Sequence, residues 1–398
     1  MKRRAALPAP QVSMENISLM SILRKNIGKD LSTVAMPIAL NEPLNLLQKL
    51  CEELEYSELL EQAAETSDDV HRIALISAFA ISAYGSTILR AGRKPFNPLL
   101  GETYECVRED KGFRFISEKV SHHPHIMACH AESRRYVFYQ SNQVKTKFWG
   151  KSMELIPLGQ VNVEFPALGE HYQWNKVTTC MRNILAGTRY LEHYGIMNIK
   201  SLKTGYTCQV TFKESGYFTS SKNEVTGVIL DPNGQEILSI GGKWDDSIAK
   251  FHSSTPNQLE VLWRRRPNPN HSQEMYGFTD YAVQLNELHP SLEGVIPKTD
   301  SRYRTDQRMY ENGLADESEM EKLRLEALQR EYIKELEAQG QKWTPRFFEP
   351  GRESTASAAS PTNSTDRVWR YLPGSYWEQR GRFKDEDQAR DLWGQSEP

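Results

Sequence analysis

A chain of 398 residues with 38% hydrophobic and 10% aromatic residues carries enough apolar material for a real core, which excludes global disorder. A formal net charge of −3 excludes the electrostatic footprint of a nucleic-acid-binding protein, so any anion site must be built locally by a few converging residues. The five cysteines (Cys51, Cys106, Cys129, Cys180, Cys208) are odd in number and form no CxxC, which fits reduced thiols used as small buried hydrophobes in a cytoplasmic protein.

Residues 1–15 read as a disordered N-terminus whose basic start is followed by no apolar stretch of the secretory kind. In "MENISLMSILRKNIGKD" (14–30), Leu19, Ile22, Leu23 and Ile27 fall on one helical face and Gly28 marks a stop. "TVAMPIALNEP" then reads as extended, interrupted by Pro37 and Pro43. Two helices are predicted over 42–65 and 68–91, the second after the capping cluster "TSDD". No run of about 18 apolar residues occurs. The nearest candidate, Ile73 to Ala91, contains Ser, Tyr, Thr and Gly and reads as a buried core helix.

From 92 to 290 the pattern changes to short β-rich segments such as "FRFISEKV", "YVFYQ", "QVNVEF" and "YTCQVTF", separated by turn residues. "VTGVILDPNGQEILSI" predicts a hairpin turning at Asp231–Gly234. "KVTTCMRNILAGTRYLEHYG" (176–195) is read as a helix between strands. The predicted class is α+β: a large antiparallel β-barrel with helices grouped at both ends. A charged helix follows at 317–338, within a C-terminal helical part spanning 291–348. Residues 349–366 are of low complexity and read as a flexible loop. The tail, 367–398, carries Trp369, Trp377 and Trp393 and is expected to pack on the body.

"EKVSHHPHIMACH" places four of the ten histidines between His122 and His130. A metal is not expected there: Pro124 separates His123 from His125, and neither HExxH nor CxxC is present. Nor is a nucleophile expected, because nothing around Cys129 forms a nucleophile turn. His130 and the histidines outside 122–125 read as structural. The His122–His123 doublet suits N–H donation to an anion such as phosphate. Adjacent imidazoles point apart in a regular strand, but Pro124 predicts a strand end or turn where both reach one phosphate. Protonation below about pH 6.5 would then strengthen anion binding, so affinity is expected to rise on mild acidification.

"EKVSHHPH" resembles the signature E-Q-V-S-H-H-P-P of the oxysterol-binding-protein-related lipid transfer domains. "KPFNPLLGETYE" (94–105), residues 26–60, "FWGKSMELIPLG", "WNKVTTC", "YGFTDYAVQLNEL" and "KTDSRYRTDQRMYENG" are similar to that family's segments in the same order. The likeness spans roughly 16–348 and is greatest to the short branch that handles sterols and phosphoinositides. Two positions depart from the signature. Lys119 replaces Gln, a polar exchange, and His125 replaces the second Pro, which removes a φ lock and adds a titratable group.

The resemblance implies a lipid-transfer domain over 16–348, with a lid at 16–45, helices at 42–91 and a barrel at 92–290. It implies a head-group site of Lys94, Asn97, His122, His123, Lys322, Glu326 and Arg330. Lid and tail contacts would come from Leu19, Ile22, Leu23, Ile27 and Leu40. Lys322, Glu326 and Arg330 lie at i, i+4 and i+8, each displaced by about 40°, and so share one helical stripe. Hiding some thirty methylenes at about 0.8 kcal/mol each requires on the order of 20 kcal/mol of apolar cover, which calls for a lidded tunnel.

The expected function is intracellular exchange of a sterol and a phosphatidylinositol phosphate through one cavity. The protein is expected to be no enzyme, with no cofactor, no metal and no nucleic acid. It should be a monomer, transiently peripheral at membranes or membrane contact sites. The alternatives are a lipid sensor or scaffold, and exchange of phosphoinositide against phosphatidylserine or phosphatidylcholine.

Overall fold

A computed structural model of the chain describes residues 3–13, 37–90, 92–184, 188–214, 222–252, 254–255, 257–351, 368–383 and 392–393. The predicted lid residues Leu19, Ile22, Leu23 and Ile27 lie outside this set. Leu40 lies within it, buried in a short 3-10 turn, Ile38–Leu40.

The single helix predicted over 42–65 is three elements. Strand β1 (Asn41–Asn45) comes first, because Pro43 holds Glu42 away from helical ψ. It pairs in parallel with β2 (Lys94–Phe96), setting Asn41 opposite Lys94. Helix α1 (Leu46–Glu52) then starts at a reciprocal cap: Gln48 N–H donates to Asn45 Oδ1 and Asn45 N–H donates to Gln48 Oε1, both at 3.0 Å. After a turn, α2 (Glu58–Glu65) follows. The "TSDD" cluster caps α3 (Asp69–Ser82), where Asp68 accepts from the N–H groups of Val70 and His71. Every residue of α3 from Arg72 to Ser82 is buried, so it is the core helix the composition predicted, though it ends at Ser82 rather than Ala91.

One antiparallel sheet wraps this helix. Its strands are β3 (Thr103–Arg108), β4 (Phe113–Ser121), β5 (Ile126–Ser133), β6 (Val137–Phe148), β7 (Met153–Leu158), β8 (Val161–Phe165), β9 (Glu170–Trp174) and β10 (Thr178–Arg182). They continue as β11 (Tyr190–Ser201), β12 (Thr207–Phe212), β13 (Glu224–Leu230), β14 (Glu236–Lys243), β15 (Ser247–Phe251) and β16 (Glu260–Arg264). The sheet forks in the middle. Between the long strands β6 and β11, one branch runs through β7 and β10 and the other through β8 and β9. Strands β11 to β14 and β16 pack on α3, giving the barrel-like wall. The β13–β14 hairpin turns at Asp231–Gly234 as expected.

The helix predicted over 176–195 is instead the β10–β11 pairing. Val177, Thr178 and Thr179 are β-branched and favour extended backbone. The register sets Cys180 opposite Glu192, and Arg182 Nε donates to Glu192 at 2.8 Å.

Helices α4 (Asp280–Leu285), α5 (Thr305–Glu311) and α6 (Ala315–Ala338) complete the body. The N-terminus differs from the disorder expected of it. Arg4 donates to the Val283 carbonyl at 2.7 Å and to the buried Glu311 at 2.5 Å, Gln11 N–H donates to Glu274 O at 2.7 Å, and Leu7 joins the core. Buried acidic partners thus anchor residues that composition alone marks as loose. In the tail, β17 (Phe348–Pro350) pairs with β18 (Trp369–Tyr371). Tyr376 Oη donates to Glu105 at 2.8 Å, and Trp393 Nε1 donates to the Lys298 carbonyl at 2.6 Å. Among the described residues no helix is long and apolar enough to cross a membrane.

Candidate functional site: a cationic rim over an apolar cavity

The two motifs "KPFNPLLGE" and "EKVSHHPH" meet through backbone bonds. Gly101 N–H donates to Lys119 O at 3.1 Å, and Lys119 N–H donates to Glu102 O at 2.9 Å. Gly101 has φ +84°, and a Cβ there would lie 2.6 Å from the Trp343 ring, so only glycine permits this approach. The Glu102 carboxylate, fully buried, then gathers distant segments. It accepts from Asn45 Nδ2 (2.5 Å), Leu99 N–H (2.8 Å), Ser301 Oγ (2.7 Å) and Arg304 Nη1 (3.1 Å). Arg304 also donates to the Asn97 carbonyl at 2.7 Å and to Asp306 at 2.7 and 2.9 Å. The late motif "KTDSRYRTDQ" therefore clamps the loop that carries Lys94 and Asn97. Helix α6 is tied to the same loop, where Leu100 N–H donates to Gln329 at 2.7 Å and Leu99 packs on Leu325.

This framework surrounds a cavity of about 340 Å³. One wall is apolar: Leu46, Met127, Val144, Met153, Leu155, Met181 and Leu191. The same cavity is lined by Lys94, Asn97, Lys119 and His125, with Glu42, Lys49, Arg90 and Arg93, and Lys119 on β4 is the direct pairing partner of Met127 on β5. A second cavity of about 170 Å³ shares Lys49, Thr87 and Thr179 with it and reaches Phe79, Tyr84, Phe138 and Trp174. Aromatic side chains pack around this second cavity: Phe79 lies 6.1 Å from Phe138 and 6.2 Å from Trp174, and His193 lies 4.6 Å from Trp244. The larger cavity is at the lower end of the ligand-pocket range of about 300–1,000 Å³.

The cations of the rim differ in what they hold. Arg90 is paired with Glu52 at 2.6 Å, Lys49 is paired with the same carboxylate, and Arg93 donates to Ala39 O and Tyr310 Oη. Lys94 and Lys119 make no ion pair among the described residues. Burial pushes Lys94 down to about 8; Lys322 and Arg304 lower it further and Glu326 opposes them. Burial likewise pushes Lys119 down to about 7, against a smaller pull from Glu102. Lys94 faces the cavity and so keeps partial accessibility while lying deep in the protein. Lys119 Nζ donates to His125 Nδ1 at 2.9 Å and touches Met127 Sδ at 3.4 Å.

Strand β4 ends at Ser121, and residues 122–125 turn around a cis His123–Pro124 bond. The turn brings the three rings together, with centroids 4.4 Å apart for His122–His123, 4.8 Å for His122–His125 and 5.8 Å for His123–His125. Burial, with the neighbouring His123 and Lys119, drives His122 down to about 4; burial and Lys119 drive His125 to about 3. Both are neutral near pH 7. Lys119 and Lys94 are the lysines that burial brings toward neutrality.

Of the predicted head-group residues, Lys94 and Asn97 line the cavity and His122 and His123 reach it through His125. Lys322 is buried on α6, with Glu326 at 3.7 Å, and both act electrostatically on Lys94. Arg330, two turns further, is exposed and outside the cavity lining. Leu40 is buried but does not line the cavity. Sequence reasoning missed Lys119, which it took as a polar exchange in the signature, and it took His125 only as a lost φ lock with an added titratable group. His130, as expected, is structural and stacks on Tyr371 at 4.8 Å.

The family profile described as Oxysterol-binding protein matches residues 18–381. This chain belongs to the oxysterol-binding protein family. Membership places it among lipid-binding proteins and not among enzymes. Mouse oxysterol-binding protein-related protein 3 is 51% identical over 348 residues, covering 87% of this chain and 40% of that protein. Human oxysterol-binding protein-related protein 6 is 48% identical over 379 residues, covering 95% of this chain and 39% of that protein. The chain thus spans about two fifths of the length of these relatives. Among solved structures, the Osh3 ORD of Saccharomyces cerevisiae in complex with PI(4)P superposes with a TM-score of 0.84 at 37% identity, covering 98% of this chain and 99% of that one. The Osh1 ORD domain in complex with cholesterol gives 0.86 at 32% identity, covering 97% and 94%.

Proposed function

We propose that this member of the oxysterol-binding protein family extracts a phosphatidylinositol phosphate and a sterol alternately into one cavity and exchanges them between membranes. The observation that carries the reading is that two lysines without carboxylate partners, Lys94 and Lys119, line one cavity together with the apolar side chains of Met127, Met153, Leu155 and Leu191. Burying unpaired ammonium groups is costly unless an anion arrives to satisfy them. A phosphate does so by charge-assisted bonds, with N–H groups from His122 and His123 alongside. The apolar wall takes the start of the chains, and aromatic side chains such as Phe79 and Trp174 move aside for the rest. The PI(4)P and cholesterol carried by the Osh3 and Osh1 neighbours support both ligands.

Two lipids competing for one cavity make exchange obligatory. Lys322 and Glu326 set the potential at Lys94, and Arg330 joins the rim when a head group recruits it. Residues 16–45 act as the lid, and the protein works transiently at membrane surfaces or contact sites as a monomer. The test is liposome-to-liposome transfer at substoichiometric protein, with lipid mass spectrometry of the protein recovered from cells. Rapid counter-transport, and phosphoinositide with sterol in the recovered protein, are expected. Transfer no faster than spontaneous exchange, or recovery of neither lipid, would refute the reading.

A further inference from the structure

The turn at 122–125 does more than aim two donors. His122, His123 and His125 each offer a ring nitrogen, and the three nitrogens lie within 4.8 Å of one another. Around an ion with bonds of about 2.0–2.1 Å, tetrahedral ligands stand roughly 3.3 Å apart. The rings must therefore draw closer by about 1.5 Å at most, and His123 is exposed. Nδ1 of His122 is buried without a hydrogen-bond partner, a polar atom the protein itself leaves unsatisfied. The sequence argument against a metal rested on Pro124, which forbids a shared strand face, and on the missing HExxH and CxxC patterns. The structure replaces that strand with a turn, and the turn gathers the rings. The third imidazole, His125, stands where the family signature has proline, so the cluster belongs to this chain rather than to the signature.

We propose that His122, His123 and His125 form a binding site for a borderline divalent metal ion of the Zn²⁺ class, and that its occupancy competes with the lipid head group. Three imidazoles with no carboxylate in the set select Zn²⁺, Ni²⁺ or Cu²⁺ over the hard ions Mg²⁺ and Ca²⁺. The fourth position falls to water, as in open three-histidine sites. The competition half of the proposal rests on the head-group reading above; the metal half does not. An ion holding His122 and His123 takes them from the phosphate, so metal lowers phosphoinositide affinity.

The test uses the whole chain. Zn²⁺ and Co²⁺ are titrated by calorimetry and by the visible absorption of tetrahedral Co²⁺, followed by a water-soluble short-chain phosphoinositide with and without Zn²⁺. One ion per chain with a tetrahedral Co²⁺ spectrum is expected. His125→Pro, which restores the signature, should weaken metal at least about 100-fold, more than the roughly 10–100-fold typical of losing an outer-shell partner. A cooperative melting transition like that of the native chain reports that the variant folds. His125→Gln serves as a second probe without the proline constraint, and Lys119→Gln, which removes a neighbouring cation, should tighten metal. Absence of binding, or binding unchanged in both His125 variants, overturns the site. Metal that binds as described but leaves phosphoinositide affinity unchanged overturns the competition alone.

Discussion

If Lys94 and Lys119 receive the head group, phosphoinositide affinity must fall as the pH rises from 7.0 to 8.5. The ammonium form binds the anion, so affinity is complete while both lysines are protonated and is lost as they deprotonate. Lys119, held at about 7, falls from one half protonated to roughly one part in thirty over this range, about a sixteenfold loss. Lys94, held at about 8, falls from nine tenths to about one quarter, roughly fourfold. If the two act independently the product is about sixtyfold, or about 2.4 kcal/mol. A phosphomonoester with a second pKa of about 6 keeps its charge throughout, so the ligand does not supply the trend. The assay is fluorescence competition with a short-chain phosphoinositide, which avoids pH effects on membranes. Lys119→Gln should leave only the roughly fourfold dependence due to Lys94. A flat profile for the native protein, or a variant as steep as the native protein, would refute the assignment.

Other outcomes follow from the same geometry. Arg304→Met strands Glu102 and Asp306, both fully buried, and should cost about 3–5 kcal/mol of stability, read as a large fall in the urea midpoint. His122→Ala combined with His123→Ala should lower phosphoinositide extraction at least tenfold, on the order of 1.4 kcal/mol, while sterol extraction stays within twofold of native. Met153→Glu places a carboxylate in the apolar wall; extraction of either lipid should fall about tenfold, and the melting temperature should move by only a few degrees because Met153 is half-buried.

Much of the site was legible because its parts are local. The cap at Asp68, the Asp231–Gly234 turn and the i, i+4, i+8 stripe on α6 depend on near neighbours in sequence. Pro124 announced the turn that joins the imidazoles, although its gathering of a third ring needed coordinates. Lys119 was illegible for a definite reason: β4 is buried on both faces, so period-2 alternation does not tell an inward lysine from an outward one. Glu102 looked like one acid in "LLGETYE". Its partners Asn45, Ser301 and Arg304 come from both ends of the chain, and no spacing rule links them. At 176–195, read as a helix, β-branching at 177–179 and pairing with β7 and β12 favoured strands.

The most direct test of the account is a crystal structure with a short-chain phosphatidylinositol phosphate. A phosphate group should lie within hydrogen-bond reach of Lys94 Nζ, Lys119 Nζ and the His122–His123 rings, with its chains running along Met153, Leu155 and Leu191. A head group bound elsewhere, with these two lysines still lacking an anion, would contradict it.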